Sequence, residues 1–206
     1  MPANPTLYHV HDPMCSWCWG YRKTWDEVRA ALPRSVKIIN VVGGLAPDSD
    51  QAMPADQQEL IAGYWRVVAD KTGATFNFDF WRDCQPRRST YPACRAVLAA
   101  KEQGAEQAMI DAIQQAYYLR ALNPSNQDTL VALAVELGLK EKRFAEDLCS
   151  DYIQCELEKN FKLRRSINVY SFPSLVMLVD QTTTTLAIDY TSSASTLEEI
   201  DRLLLR

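Results

Sequence analysis

The sequence predicts an α/β fold: one sheet built from two separate pieces of chain, with a large all-helical insertion between them. Three observations predict it. The first 45 residues read as strand, helix, strand. From about 50 to 167 there are helix signals and almost no strand signal. Strand-like sequence returns at 174–190, just before a closing amphipathic helix. The order is therefore β-α-β, a helical block, then β-β-α, divided at 1–48, 49–167 and 168–206.

Each element has its own justification. "TLYHVH" (6–11) is short, β-branched and aromatic, and prolines bound it, which suits a strand. From Ser16 to Leu32, the residues Trp19, Lys23, Val28 and Leu32 recur at helical spacing, and Pro33 follows as a stop. "SVKIINVVGGL" (35–45) is a near-continuous apolar run, which predicts a parallel strand covered on both faces. Five to seven helices follow. One stops at Gly73. A second is capped by Ser89 or Thr90, carries Pro92 in its first turn and ends at Gly104. A third stops at Gly138. "YWRVV" and "FNFDFWRD" are expected to line the inside of this block, with the alternative that some of them face the active-site groove as an apolar surface for unfolded chains. "SLVMLVD" and "TTTTLAIDY" read as a β-hairpin. The last helix has Ser195 as cap, Glu198 three later, and a stripe of Leu197, Ile200, Leu203 and Leu204.

Composition narrows the function. Hydrophobic residues make up 47% and charged residues 23% of 206, which is ordinary globular usage. The net charge is −4, and no basic face or tail stands out, so a nucleic-acid binder is not expected. Arg87-Arg88 and the run 162–165 read as solvated surface. No stretch of about 20 apolar residues exists to span a membrane. "MPANPTLYHVHDP" has neither the basic nor the apolar region of a signal peptide, so the expected compartment is the cytoplasm.

The chemistry sits at "HVHDPMCSWCWGY" (9–21). Cys15 and Cys18 fall between the first strand and the first helix. A helix N-terminus leaves backbone N–H groups unpaired and favours an anion, here a thiolate. Such positions lower a cysteine pKa from about 8.5 to roughly 3.5–7.5. Cys18 lies one turn further on, where it can attack a mixed disulfide formed by an exposed Cys15. The spacing alone is weak evidence, but its place between strand and helix strengthens it. So does "YSFPSLV" (170–176), where Pro173 precedes a returning strand. A cis bond there would bring the backbone of Phe172 beside Cys15, ready to pair with an incoming peptide.

These two motifs, "DPMCSWCWG" and "SFPSLV", resemble the DsbA-like (FrnE-type) branch of the thioredoxin superfamily, which carries a helical insertion inside a thioredoxin-like fold. The resemblance implies Cys15 as the attacking cysteine, Cys18 as the resolving one, and Pro173 as the cis-proline with Phe172 before it. The dipeptide Ser16-Trp17 departs from the Pro-His of secreted oxidases, so strong oxidant behaviour is not implied.

Around the pair, His9 is read either as a proton shuttle for Cys18 or as a satisfied strand histidine. Asp12 is read as a brace for the turn, Trp19 as packing, and Trp17 as an exposed wall of a peptide groove. Zinc held by Cys15, Cys18 and His9 or His11 is disfavoured, since no second ligand pair exists, and no metal is expected. Cys84 and Cys94 leave a secondary pair open, with Cys94 read as a small buried residue. Cys149 and Cys155, about 120° apart on a continuous helix, are read as packing. The expected activity is thiol–disulfide exchange on protein or peptide thiols and disulfides. It needs no organic cofactor, and glutathione is a candidate electron partner. Two other readings stay open: a non-redox adaptor on the same fold, and a glutathione-dependent transferase or isomerase of the kappa type. The latter generally has serine in place of Cys15.

Overall fold

The chain is described by a computed structural model that covers residues 5–205. The first four residues, on which part of the signal-peptide reading rests, and Arg206 lie outside it. Strand β1 (Thr6–His11) runs parallel to β2 (Lys37–Val42) and antiparallel to β3 (Ser174–Val179), and β4 (Thr182–Leu186) pairs antiparallel outside β3. The order β2-β1-β3-β4 joins the two ends of the chain in one sheet.

Alternation along β1 divides its side chains between two layers. Leu7 faces helix α1 (Ser16–Ala31) and the C-terminal helix, here α9 (Ala194–Leu204), with Tyr21, Trp25, Val28, Ile200 and Leu203. Val10 faces the other way, with Val41, Val176 and Ile167. Between β2 and β3 run α2 (Ala55–Thr72), α3 (Phe80–Asp83), α4 (Tyr91–Lys101), α5 (Glu106–Tyr118), α6 (Gln127–Glu136), α7 (Glu141–Leu148) and α8 (Asp151–Ser166). Helix α8 packs on β2, and Leu163 near its C-terminal end joins the layer around Val10. The remaining helices bury a separate core. Its largest member, Trp65, is 1% exposed and ringed by Phe76, Phe80, Trp81, Tyr117 and Tyr118, so these members of the aromatic segments line the inside of the block, while Phe78 is exposed and Tyr64 is exposed on the cleft over Cys15. Gly73 ends α2 with φ 73°, a conformation that costs glycine nothing.

Several expectations are corrected. Strand β2 is an edge strand: Lys37 is exposed and only Val41 and Val42 are fully buried, so it is not covered throughout. On α1 the buried stripe is Cys18, Tyr21, Trp25 and Val28, while Lys23 is exposed. The aromatic side chains carry far more apolar area and turn the helix their way. Ser195 lies inside α9, whose cap position is Ser193. The Ser193 hydroxyl donates to Glu27 rather than closing a capping box. Cys149 ends α7 and Cys155 lies in α8. Both are exposed and neither is packing.

Candidate active site

The site begins where β1 ends. The Asp12 carbonyl accepts from the Cys15 N–H at 3.0 Å, and Asp12 Oδ1 accepts from the Met14 N–H at 2.8 Å. This double closure turns the chain into α1. Cys15 takes the N-cap position with extended backbone (φ −85°, ψ 118°), and its carbonyl accepts from the Trp19 N–H at 3.0 Å. No acidic residue occupies the first turn of α1, and the positive end of the helix faces Cys15.

Cys18 follows one turn later. Its thiol hydrogen-bonds to the Cys15 sulfur. Burial first, and then that bond, push its pKa well above the ordinary thiol value. The Cys15 thiol in turn donates to the Phe172 carbonyl at 3.6 Å, and the Phe172–Pro173 peptide is cis. The fold thus brings Cys15, Cys18 and the Phe172 backbone together across 157 positions of chain. Cys15 is 6% exposed, more covered than the open nucleophile expected from sequence. It reaches solvent through a cleft of about 370 Å³, whose walls include Trp17, Tyr64, Tyr117 and Phe172. A larger cleft of about 490 Å³, lined by Asp48, Arg95 and Cys149, contains neither cysteine of the pair.

Asp12 braces this turn against the helical block. Its Oδ2 accepts from the Leu45 N–H at 2.8 Å, the Thr90 hydroxyl at 2.7 Å and the Cys94 thiol at 3.6 Å. Burial raises the Asp12 pKa, and these donors oppose the rise. Thr90 does occupy the N-cap of α4, but its hydroxyl serves Asp12 instead of its own helix. Cys94 is fully buried, with its thiol pushed well up by burial. Cys84 donates to the Ala121 carbonyl, so the two thiols address different acceptors.

The remaining predicted residues are placed as follows. His9 is buried in β1, with Nδ1 3.1 Å from Asn40 Oδ1 and its ring stacked between His11 at 4.8 Å and Trp25 at 4.2 Å. Burial lowers its pKa to about 4. Its hydrogen-bond and ring partners among the described residues do not include Cys18. Trp17 is half-buried, not exposed, because Tyr190 packs on it at 5.2 Å and the Lys71 ammonium lies 5.5 Å from its ring. Trp19 stacks on Tyr118 and donates to the Thr75 carbonyl. Arg87 and Arg88 are not simply solvated surface: both line the cleft over Cys15, and Arg87 is half-buried. Gly43 was not singled out from sequence. The ring of Phe172 lies over it so closely that a Cβ would stand 2.2 Å from the ring. The only sequence signal for this contact is the Gly-Gly after β2.

Residues 8–198 match the model of a family described as thioredoxin. The chain belongs to the thioredoxin family. This thioredoxin-family fold superposes on a Nitrosomonas europaea protein assigned to the protein disulfide isomerases, with a TM-score of 0.85, 26% identity and 98% of each chain covered. It is also similar to the cytosolic disulfide reductase DsbM of Pseudomonas aeruginosa, with a TM-score of 0.80, 23% identity, and 98% of this chain and 100% of that one covered. DsbM has also been solved with GSH. The DsbA-like plan, a thioredoxin-like sheet with helices between its halves, is thereby established. Among curated proteins, the ClpXP adapter protein SpxH of Bacillus subtilis is 24% identical over 186 residues, which is 87% of this chain and 60% of that protein. SpxH of Halalkalibacterium halodurans is 23% identical over 180 residues, 84% and 58% respectively. The chain spans about three fifths of the length of these relatives. No helix among the described residues is long and apolar enough to cross a membrane.

Proposed function

We propose that this protein is a thiol–disulfide oxidoreductase acting on protein or small-molecule disulfides. One observation carries the reading: two hydrogen-bonded thiols at a helix N-terminus, one of them 3.6 Å from the Phe172 carbonyl at the mouth of a cleft. In the reducing direction, Cys15 as thiolate attacks a substrate sulfur. A Cys15–substrate disulfide forms and the first substrate thiolate leaves. Cys18, relieved of its proton, then attacks Cys15, closing the Cys15–Cys18 disulfide and releasing the second thiolate. Burial keeps Cys18 protonated until that step, so it does not compete for the first attack. The backbone at Phe172 pairs with the substrate chain, and Trp17 walls its path. The chemistry needs no metal or organic cofactor, and glutathione suits the role of electron partner. Action in the cytoplasm, as reductase or isomerase, fits the cytosolic name of DsbM.

The test is trapping. Cys18→Ser should accumulate a mixed disulfide with substrate, and Cys15→Ser should not. If Cys15→Ser retains turnover, the reading fails. The reduction potential of the pair then sets direction: a value near about −120 mV marks an oxidant, and one near about −270 mV a reductant.

A second reading follows from the SpxH relatives: an adaptor that binds a protein partner with the thiols incidental. Partner binding that survives loss of both cysteines favours it.

A further inference from the structure

We propose that the cleft over Cys15 selects disulfides whose arm carries a carboxylate, and that Arg88 is the residue that recognises it. This rests on the thiol–disulfide reading above and names the substrate class of the same site.

The cleft has the size of a short peptide arm, about 370 Å³, and its lining is one-signed. It includes Arg87 and Arg88 and, among the described residues, no Asp or Glu. The two arginines do different work. Arg87 is held: its guanidinium donates to the Ser125 carbonyl and to Asn126 Oδ1, which fixes the loop leading into α4. The Arg88 side chain, exposed at the cleft, makes no hydrogen bond or ion pair with any other described residue. Asp12, the only buried carboxylate among the described residues, already accepts from four donors, none of them Arg88. An unpaired guanidinium on a cleft whose lining holds no carboxylate gives that cleft a positive potential toward an incoming anion. In a peptide disulfide the available anion is a carboxylate, either a chain terminus or an acidic side chain.

The reaction balances without a further reagent in a single turnover. The reduced protein gives two electrons to the anionic disulfide. A Cys15–sulfur bond forms and breaks, the Cys15–Cys18 bond forms, and the two thiol protons go to the two released substrate thiols.

The experiment uses the full chain, pre-reduced, in single-turnover stopped flow at low salt. Three small disulfides of similar size serve as probes: one with two carboxylates, one with two hydroxyls, one with two ammonium groups. The carboxylate compound should react fastest and the ammonium compound slowest. That spread should shrink between 0.01 M and 1 M salt, as the screening length falls from about 30 Å to about 3 Å. Arg88→Gln should cut the carboxylate-to-ammonium rate ratio about fivefold, and Arg88→Glu should invert the order. Lys142→Gln removes one charge at a remote, 91% exposed side chain and should leave the ratio unchanged. Equal rates for the three probes, or a preference that survives in Arg88→Glu, overturn the proposal. Failure of all three probes to react overturns the redox reading itself, and this inference with it. Glutathione disulfide and a disulfide-linked acidic peptide, compared in wild type and Arg88→Gln, assign the source. The one with the larger dependence on Arg88 is the natural arm, and dependence in neither overturns the proposal.

Discussion

The Thr90 hydroxyl stands 2.7 Å from Asp12 Oδ2, across 78 positions of sequence. That contact, with the Leu45 N–H on the same oxygen, ties the active-site turn to the start of α4. The hydroxyl also accepts from the Ala46 N–H at 3.1 Å. Thr90→Val keeps the shape and removes both bonds. It should cost about 1–3 kcal/mol in urea unfolding, since a buried acceptor and donor lose their partner. Thr90→Ser should recover most of that loss.

Gly43 and Phe172 form a second close relationship. An alanine at 43 would put its Cβ 2.2 Å from the Phe172 ring, so the ring must shift. Gly43→Ala is expected to lose about 1–3 kcal/mol by overpacking and to slow mixed-disulfide formation at Cys15. Adding Phe172→Ala removes the clash, so the two stability losses should be less than additive. Full additivity would mean that the two residues do not press on each other.

The histidines predict a pH dependence. Burial lowers the His9 pKa from 6.5 to about 4, and that of His11 well below its ordinary value. The unfolded chain therefore binds more protons than the folded one as pH falls below about 6.5. Stability is full above that pH and declines toward pH 4, by on the order of 3 kcal/mol for His9. Asp12, whose pKa burial raises, works in the opposite sense. His9→Gln should flatten the decline in a urea series from pH 7 to pH 4. An unchanged slope would mean that His9 does not titrate in this way.

Trp65 should behave as the keystone of the helical core. It is 1% exposed among five aromatic neighbours within 5.7 Å between ring centroids. Trp65→Ala is expected to cost about 3–5 kcal/mol in chemical denaturation. A loss under about 1 kcal/mol would contradict its place in the core.

The sequence by itself determined the element order and the placement of Cys15 and Cys18 at the head of α1, and it marked Pro173, before a returning strand, as a site where a cis bond can form. These are set by local chemistry: strand and helix periodicity, proline before a strand, and cysteine spacing of one helical turn. The tertiary structure alone decided the rest. That Asp12 meets Thr90 and Cys94, that Gly43 underlies Phe172, and that Arg88 borders the cleft depends on contacts between segments far apart in the chain. Ser195 and Lys23 show the same limit from the other side, because neighbours in space chose which residue capped α9 and which face of α1 was buried. Periodicity specifies a face only relative to its own helix, and long-range packing decides what that face meets.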